Sequence, residues 1–356
     1  MALRFCLLLL ALLPFPGLVS AQPLTALHRA DSDSVLYGAS LRALVAEARP
    51  GDTLYLPGGF LDLGGDLVIE RRLHVVGAGF RTDTAAATGA TVLTGGRLIL
   101  TTGASDGSLT GIWLRGRLQL GTDSATNGLS QYSLTRCRFG DEVWLSFCPD
   151  TSCPGRGETL ILAENVFDGH IRGADGLRNI ALQNNFIGAS VWNFAPEAQL
   201  RLWSNVFLGR ADTAAYLRNV RGANANYNIF LGDSIADSLC ANVNFLLNLF
   251  SGPFTPSGSL TESRSIENQG LPEAIFREVT DFDYRYREED NYRLALDSPG
   301  READIFRRDL GAYGGRFPFK AGAKPFNPHI RTLDVAPYTQ TPNRLRVRFA
   351  VEAQTN

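Results

Sequence analysis

The sequence predicts an all-β chain wound into a solenoid of stacked coils. Three observations predict it. First, the phrase Asn-x-Phe-x-Gly recurs, with asparagines at Asn165, Asn184, Asn205, Asn228 and Asn248 and phenylalanines at Phe167, Phe186, Phe207, Phe230 and Phe250. The asparagines stand 19, 21, 23 and 20 residues apart. A period near 20 marks coils that are each too small to bury an apolar face alone. Second, a short apolar run precedes each of the first three phrases, at residues 160–162, 180–182 and 200–202. Short runs bounded by turn residues indicate strands rather than helices. Third, 36 of the 356 residues are glycine and only 20% are charged, which suits a turn-rich chain. A leucine-rich repeat has a similar period, but neither its leucine spacing nor a helical segment per repeat is present.

Each part of the phrase has a physical task. Asparagine tolerates a left-handed backbone and suits a sharp bend between short strands. Stacked at one bend, its amides bond from coil to coil as a ladder. The phenylalanine two positions on points inward and stacks on the next one. Glycine then lets the backbone turn again.

This pattern resembles the right-handed parallel β-helix of the pectate-lyase-like superfamily, over roughly residues 50–315. The resemblance implies a secreted bacterial-type fold, and is non-specific as to activity, because that superfamily holds lyases, hydrolases, adhesins and structural proteins.

Residues 1–21 have the form of a secretory signal. Arg4 supplies the positive start, residues 6–13 an apolar centre, and Val19, Ser20 and Ala21 a small-residue cleavage site. Cleavage after Ala21 would leave Gln22 as the new N-terminus. Arg4 is the one charged residue removed, so the net charge goes from −2 to −3. Nothing in that balance favours nucleic acid. No stretch is long enough to span a membrane. The expected setting is extracellular or the cell surface, with a monomeric chain.

Residues 22–50 form a lead and cap. Leu41, Leu44, Val45 and Ala48 fall on one helical face and Pro50 stops the helix. A solenoid has an open end to cover, so this helix is expected to be an N-terminal cap. Residues 51–315 form the β-helix body, and the stretch from about 52 to 252 has room for roughly nine coils, a length on the order of 40 Å at the stacked-strand spacing. Within it, Asp309 to Gly315 resembles the closing segment of secreted β-helix proteins, whose glycines belong to the last coil. Residues 316–356 carry prolines and end in an alternating run at 345–351, expected as a half-buried strand in a short C-terminal β element.

Four cysteines follow the leader. Cys148 and Cys153 are close enough to close a small loop as a disulfide in an oxidising compartment. Cys137 stands where the ladder has asparagine, as a small buried hydrophobe. With no His pair beside the close cysteines, no metal site and no cofactor are expected.

In the resembling fold the strand after the glycine turn builds the binding groove. Aligned across coils, that strand places Trp144, Arg172, Trp192, Tyr216 and Arg218 outward and Val143, Leu145, Ile171, Val191 and Leu217 inward. Aromatic faces pack on sugar rings and arginine forks carboxylates, so the stripe is a candidate glycan-binding surface. Its structural alternative is exposed aromatics resting under the loop at 146–158. Catalysis asks for more. Calcium needs converging oxygens, and an inverting hydrolase needs two carboxylates ~6.5–9.5 Å apart. Glu142, Asp212 and Asp237 are scattered, and Asp175-Gly176 has the form of a turn. The expectation is therefore a glycan-binding or structural surface protein. A polysaccharide lyase or glycosidase with an atypical site, and a stalk or adhesin with no small ligand, are the alternatives.

Overall fold

The structure is a computed structural model. It describes residues 24–81, 89–122, 128–146, 157–209, 215–232, 234–267, 269–270, 272–279, 282–321, 329–335, 344 and 346–352. Residues 1–21, expected as a leader, and Cys148 and Cys153 lie outside the described residues.

The body is a parallel β-helix with three faces. Face A runs in parallel register from Thr53–Tyr55 through Glu158–Ala163 to Thr261–Ser263. Among the described residues, face B has nine parallel strands, from Gly59–Asp62 to Leu249–Phe250. Face C runs from Leu67–Ile69 through Val143–Trp144 and Ile171–Arg172 to Leu217–Asn226. That last strand starts in face C and ends in face A, bending at Gly222, whose φ of +72° suits a residue without Cβ.

Inward positions alternate with outward ones, as a pleated strand requires. Leu134, Leu162, Leu182, Leu202, Ala225 and Phe245 stack inward on face A. Inside face B the rings of Phe139 and Phe167 stack at 5.2 Å, Phe207 and Phe230 at 4.5 Å, and Phe230 and Phe250 at 5.3 Å.

The corner between faces A and B carries buried asparagines bonded coil to coil. Asn165, Asn185, Asn205, Asn228 and Asn248 are each fully buried. Each side-chain amide donates to a carbonyl in the coil before, and the first four also donate to the Oδ1 of the next asparagine. Cys137 ends the column, its backbone N–H donating to Asn165 Oδ1 at 2.9 Å. Burial pushes its thiol up to about 12.

The column corrects the sequence expectation at one coil. Its member is Asn185, not Asn184. Phe186 consequently pairs with Val166 and Val206 on the outward side, and Ile187 takes the inward place between Phe167 and Phe207. The run Asn184-Asn185-Phe186-Ile187-Gly188 allows both registers locally. The true steps between bonded asparagines are 20, 20, 23 and 20 residues.

The N-terminal helix spans Leu41–Glu47, with Ser40 as N-cap accepting from the Ala43 N–H. Leu41, Leu44 and Val45 join the core and seal the first coil. Strand Thr25–His28 pairs antiparallel with Thr53–Tyr55 and so covers the first edge of face A. Asp52 locks this end. It accepts from the Ala30 and Arg49 amides and the Arg29 guanidinium at 2.8–2.9 Å.

Residues 272–319 do not wind as coils. They lie along the outside of face B. That outer face is apolar, with Val166, Phe186, Val206, Ile229 and Leu249 all buried. Ile275, Phe276, Tyr286, Tyr292, Leu310 and Phe319 cover it as a second core. The glycine-rich stretch expected in the last coil is here too. Gly311 donates its N–H to the Tyr227 carbonyl, and its φ of +76° leaves it against Ile229. In the tail, His329–Val335 pairs antiparallel with Val347–Glu352. Val347, Phe349 and Val351 are exposed, where half-burial was expected. No described layer covers their face.

Candidate functional site

Face C positions the outward stripe by pleat alone. Strand pairing puts Trp144 beside Arg172, Arg172 beside Trp192, and Trp192 beside Arg218 in one file. Val143, Leu145, Ile171, Val191 and Leu217 point inward and are fully buried. Trp144, Arg172 and Trp192 are half-buried and Arg218 is exposed.

The file is a stack of alternating cations and indoles. The Arg172 guanidinium lies 4.6 Å from the Trp144 ring and 4.9 Å from the Trp192 ring. Arg117 lies 4.2 Å from the Trp144 ring. Coils repeat about every 4.8 Å, so a ring in this file faces its neighbours along the stack. Trp144 is thus met by two guanidinium groups and Trp192 by one, and the open platforms expected from sequence are partly occupied. What the file offers outward is charge. Among the described residues, neither Arg172 nor Arg218 makes an ion pair. Cation–π contact with two rings holds Arg172 in place and leaves its N–H edge free to fork a carboxylate.

Tyr216 does not join the stripe. It is 3% exposed and packs inside, 5.7 Å from Phe207 and 5.8 Å from Phe230. Gly209 and Gly232 make room, since a Cβ at either would meet the Tyr216 hydroxyl at 2.4 or 2.7 Å. Tyr216 stands just before the strand, at the corner, where two-residue alternation no longer fixes direction.

Two acids near the file are engaged. Glu142 accepts from Trp144 Nε1 at 2.7 Å and pairs with Arg117 at 3.4 Å. Asp237 accepts from the Asn219 and Leu239 amides. Asp212 lies outside the described residues. His170 accepts the Ser190 N–H on Nδ1 at 3.1 Å, which puts the neutral ring's proton on Nε2. Among the described residues, no group of three or more His, Cys, Asp or Glu side chains gathers as metal ligands. At the far end of the file, Asp175, Asn193, Phe194, Asn219 and Arg221 line a polar recess of about 200 Å³. Among the described residues, Asn219 Oδ1 is buried there without a partner.

Arg117 was missed by the sequence reading. It precedes the strand Leu118–Leu120, so the alternation that picked out Arg172 did not reach it.

No family model matches the chain, and no curated protein does. Among solved structures, the crystal structure of pectate lyase Pel9A is similar at 12% identity, covering 79% of this chain and 91% of that one. The TM-score is 0.32. A likeness that distant carries no argument about activity. The fold rests on the strand pairing above.

Proposed function

We propose that this chain is a secreted or surface-displayed β-helix protein that binds an acidic polysaccharide along face C. One observation carries the reading: Arg172 is clamped between Trp144 and Trp192 and, among the described residues, has no acid paired to it. A guanidinium held at fixed height, with Arg218 two coils on, suits carboxylates borne along an extended chain. Binding is favoured over turnover because Glu142, the acid beside the file, is already held by Arg117 and Trp144. The leader-like segment supports export. A purely structural stalk is the competing role, and the same experiment separates the two.

That experiment is affinity electrophoresis through gels containing polygalacturonate or a neutral galactan. Wild type is expected to be retarded by the acidic polymer alone, and Arg172→Gln to migrate faster. Equal migration in both gels would remove the reading. Release of unsaturated uronate by wild type would replace it with the lyase alternative.

A further inference from the structure

The corner between faces A and B holds a second site, unrelated to the face C file. Gln183, Trp203 and Asn226 occupy the same register position in three successive coils. With Asn184, Ser204 and Tyr227 beside them, they floor a cleft of about 610 Å³. Its walls come from the covering segment: Phe306 and Arg308 on one side, and Gly315, Arg316 and Phe317 on the other.

The walls are fixed in place before any ligand arrives. Asp304 Oδ1 accepts from the Phe306 and Arg308 amides, both at 2.7 Å, and Oδ2 holds Arg308 Nε at 2.8 Å. The Asn184 side chain donates to the carbonyls of Ala312 and Gly314 at 2.9 and 2.8 Å. This gives Asn184, displaced from the corner column, a task of its own.

The cleft carries unused binding capacity. Phe306 is 67% exposed and Phe317 61%, an unusual cost for two rings flanking one opening. Among the described residues, Trp203 Nε1 is buried with no partner. Among the described residues, the amides of Gln183 and Asn226 make no hydrogen bond. Arg316 lies 5.4 Å from the Phe317 ring and, among the described residues, makes no ion pair. Arg308 is spoken for by Asp304. So the cleft combines apolar ring faces, side-chain amides and, among the described residues, one cation without an ion pair.

We infer that the cleft binds a small acidic sugar. Its ring would pack on Phe306 or Phe317, its hydroxyls would meet Gln183 and Asn226 beside the Trp203 ring, and its carboxylate would meet Arg316. The volume is that of a small-ligand pocket and suits about one to three sugar rings, where a protein surface would need a broader patch. This inference does not rest on face C.

The test uses full-length protein carrying 5-fluorotryptophan, whose four tryptophans give separate fluorine resonances. Trp203→Phe assigns the cleft reporter. Trigalacturonate is titrated in, with galactotriose and benzoate as controls. The Trp203 resonance is expected to shift with trigalacturonate, and more weakly with galactotriose. The double substitution Phe306→Ala, Phe317→Ala should weaken trigalacturonate binding about tenfold or more, the loss expected for removing stacked rings. Both rings are exposed, so the fold should survive, which circular dichroism checks. Arg316→Gln should weaken trigalacturonate only. Arg172→Gln should leave the Trp203 response unchanged while removing any response of Trp144 and Trp192, so the two sites fail separately. A silent Trp203 would overturn the inference. So would full affinity in the folded double variant, or a response to benzoate without one to trigalacturonate.

Discussion

Asn184 donates its side-chain amide to the carbonyl of Ala312, 2.9 Å away in space and 128 residues on in sequence. Its neighbour Asn185 donates instead to Asn205 Oδ1, inside the corner column. Two adjacent asparagines thus hold different layers of the molecule. Asn185→Ala should cost about 3 kcal/mol, because it strands buried partners in the coils on either side. Asn184→Ala should cost about 1–2 kcal/mol and act on the covering segment. Urea melts give the sizes. Limited proteolysis distinguishes the layers, with early cuts within residues 272–319 expected for Asn184→Ala alone. Identical cleavage of the two variants would contradict this division.

Phe186 and Phe207 offer the same contrast among aromatics. Phe207 is a core ring stacked on Phe230, and its removal should cost roughly 3–5 kcal/mol. Phe186 packs outside the coils on Tyr286, Tyr292, Tyr313 and Phe319. Phe186→Ala should speed hydrogen exchange in the covering segment first, leaving amides of face A protected. Loss of face A protection at the same rate would place Phe186 in the main core.

The N-terminal lock should respond to acid. Burial opposes the Asp52 charge, but the Ala30 and Arg49 amides and the Arg29 guanidinium outweigh it and hold the carboxyl below its ordinary range. A depressed carboxylate contributes stability above its unfolded value, about 3.9, and loses it as pH falls through the folded value. Stability of the N-terminal cap should therefore be full at neutral pH and fall below about pH 4. Asp52→Asn should lower the melting temperature at pH 7 and flatten the acid limb. An unchanged acid limb would mean that other carboxylates control it.

Trp192 should behave as a clamp and not as a platform. Its ring is covered by Arg172, so Trp192→Ala should weaken an acidic glycan by freeing that guanidinium and leave neutral glycans untouched. Retention on acidic and neutral affinity gels measures both. Retention of wild type on the neutral gel that Trp192→Ala abolishes would restore the platform role.

Thiol chemistry checks the export reading. Cys137 and Cys240 are free thiols in the structure. If the chain is exported and Cys148 pairs with Cys153, labelling of denatured, unreduced protein should find two thiols. Four would remove the disulfide.

Much of the body was legible in the sequence because its causes are local. A period near 20 dictates stacked coils. Two-residue alternation then sends Ile171 inward and Arg172 outward whatever the rest of the chain does. The cap helix was equally legible, since Leu41, Leu44 and Val45 share one helical face. The stripe was legible only in part. Alternation named Trp144, Arg172, Trp192 and Arg218, but it could not show that ring faces would look along the stack toward arginines.

Tertiary structure decided the rest, and in each case the deciding contact lies far away in sequence. Asn184 and Asn185 are equivalent locally, and the choice between them is expressed in bonds to Ala312 and Asn205. Tyr216 turned inward because Gly209 and Gly232 left a space at the corner. The outer face of B looked like the rest of a repeating coil until residues 272–319 returned to bury it. A repeat records the stacking of neighbours in its period. It carries no mark of a segment that folds back across it, because that contact is made once and repeats nowhere.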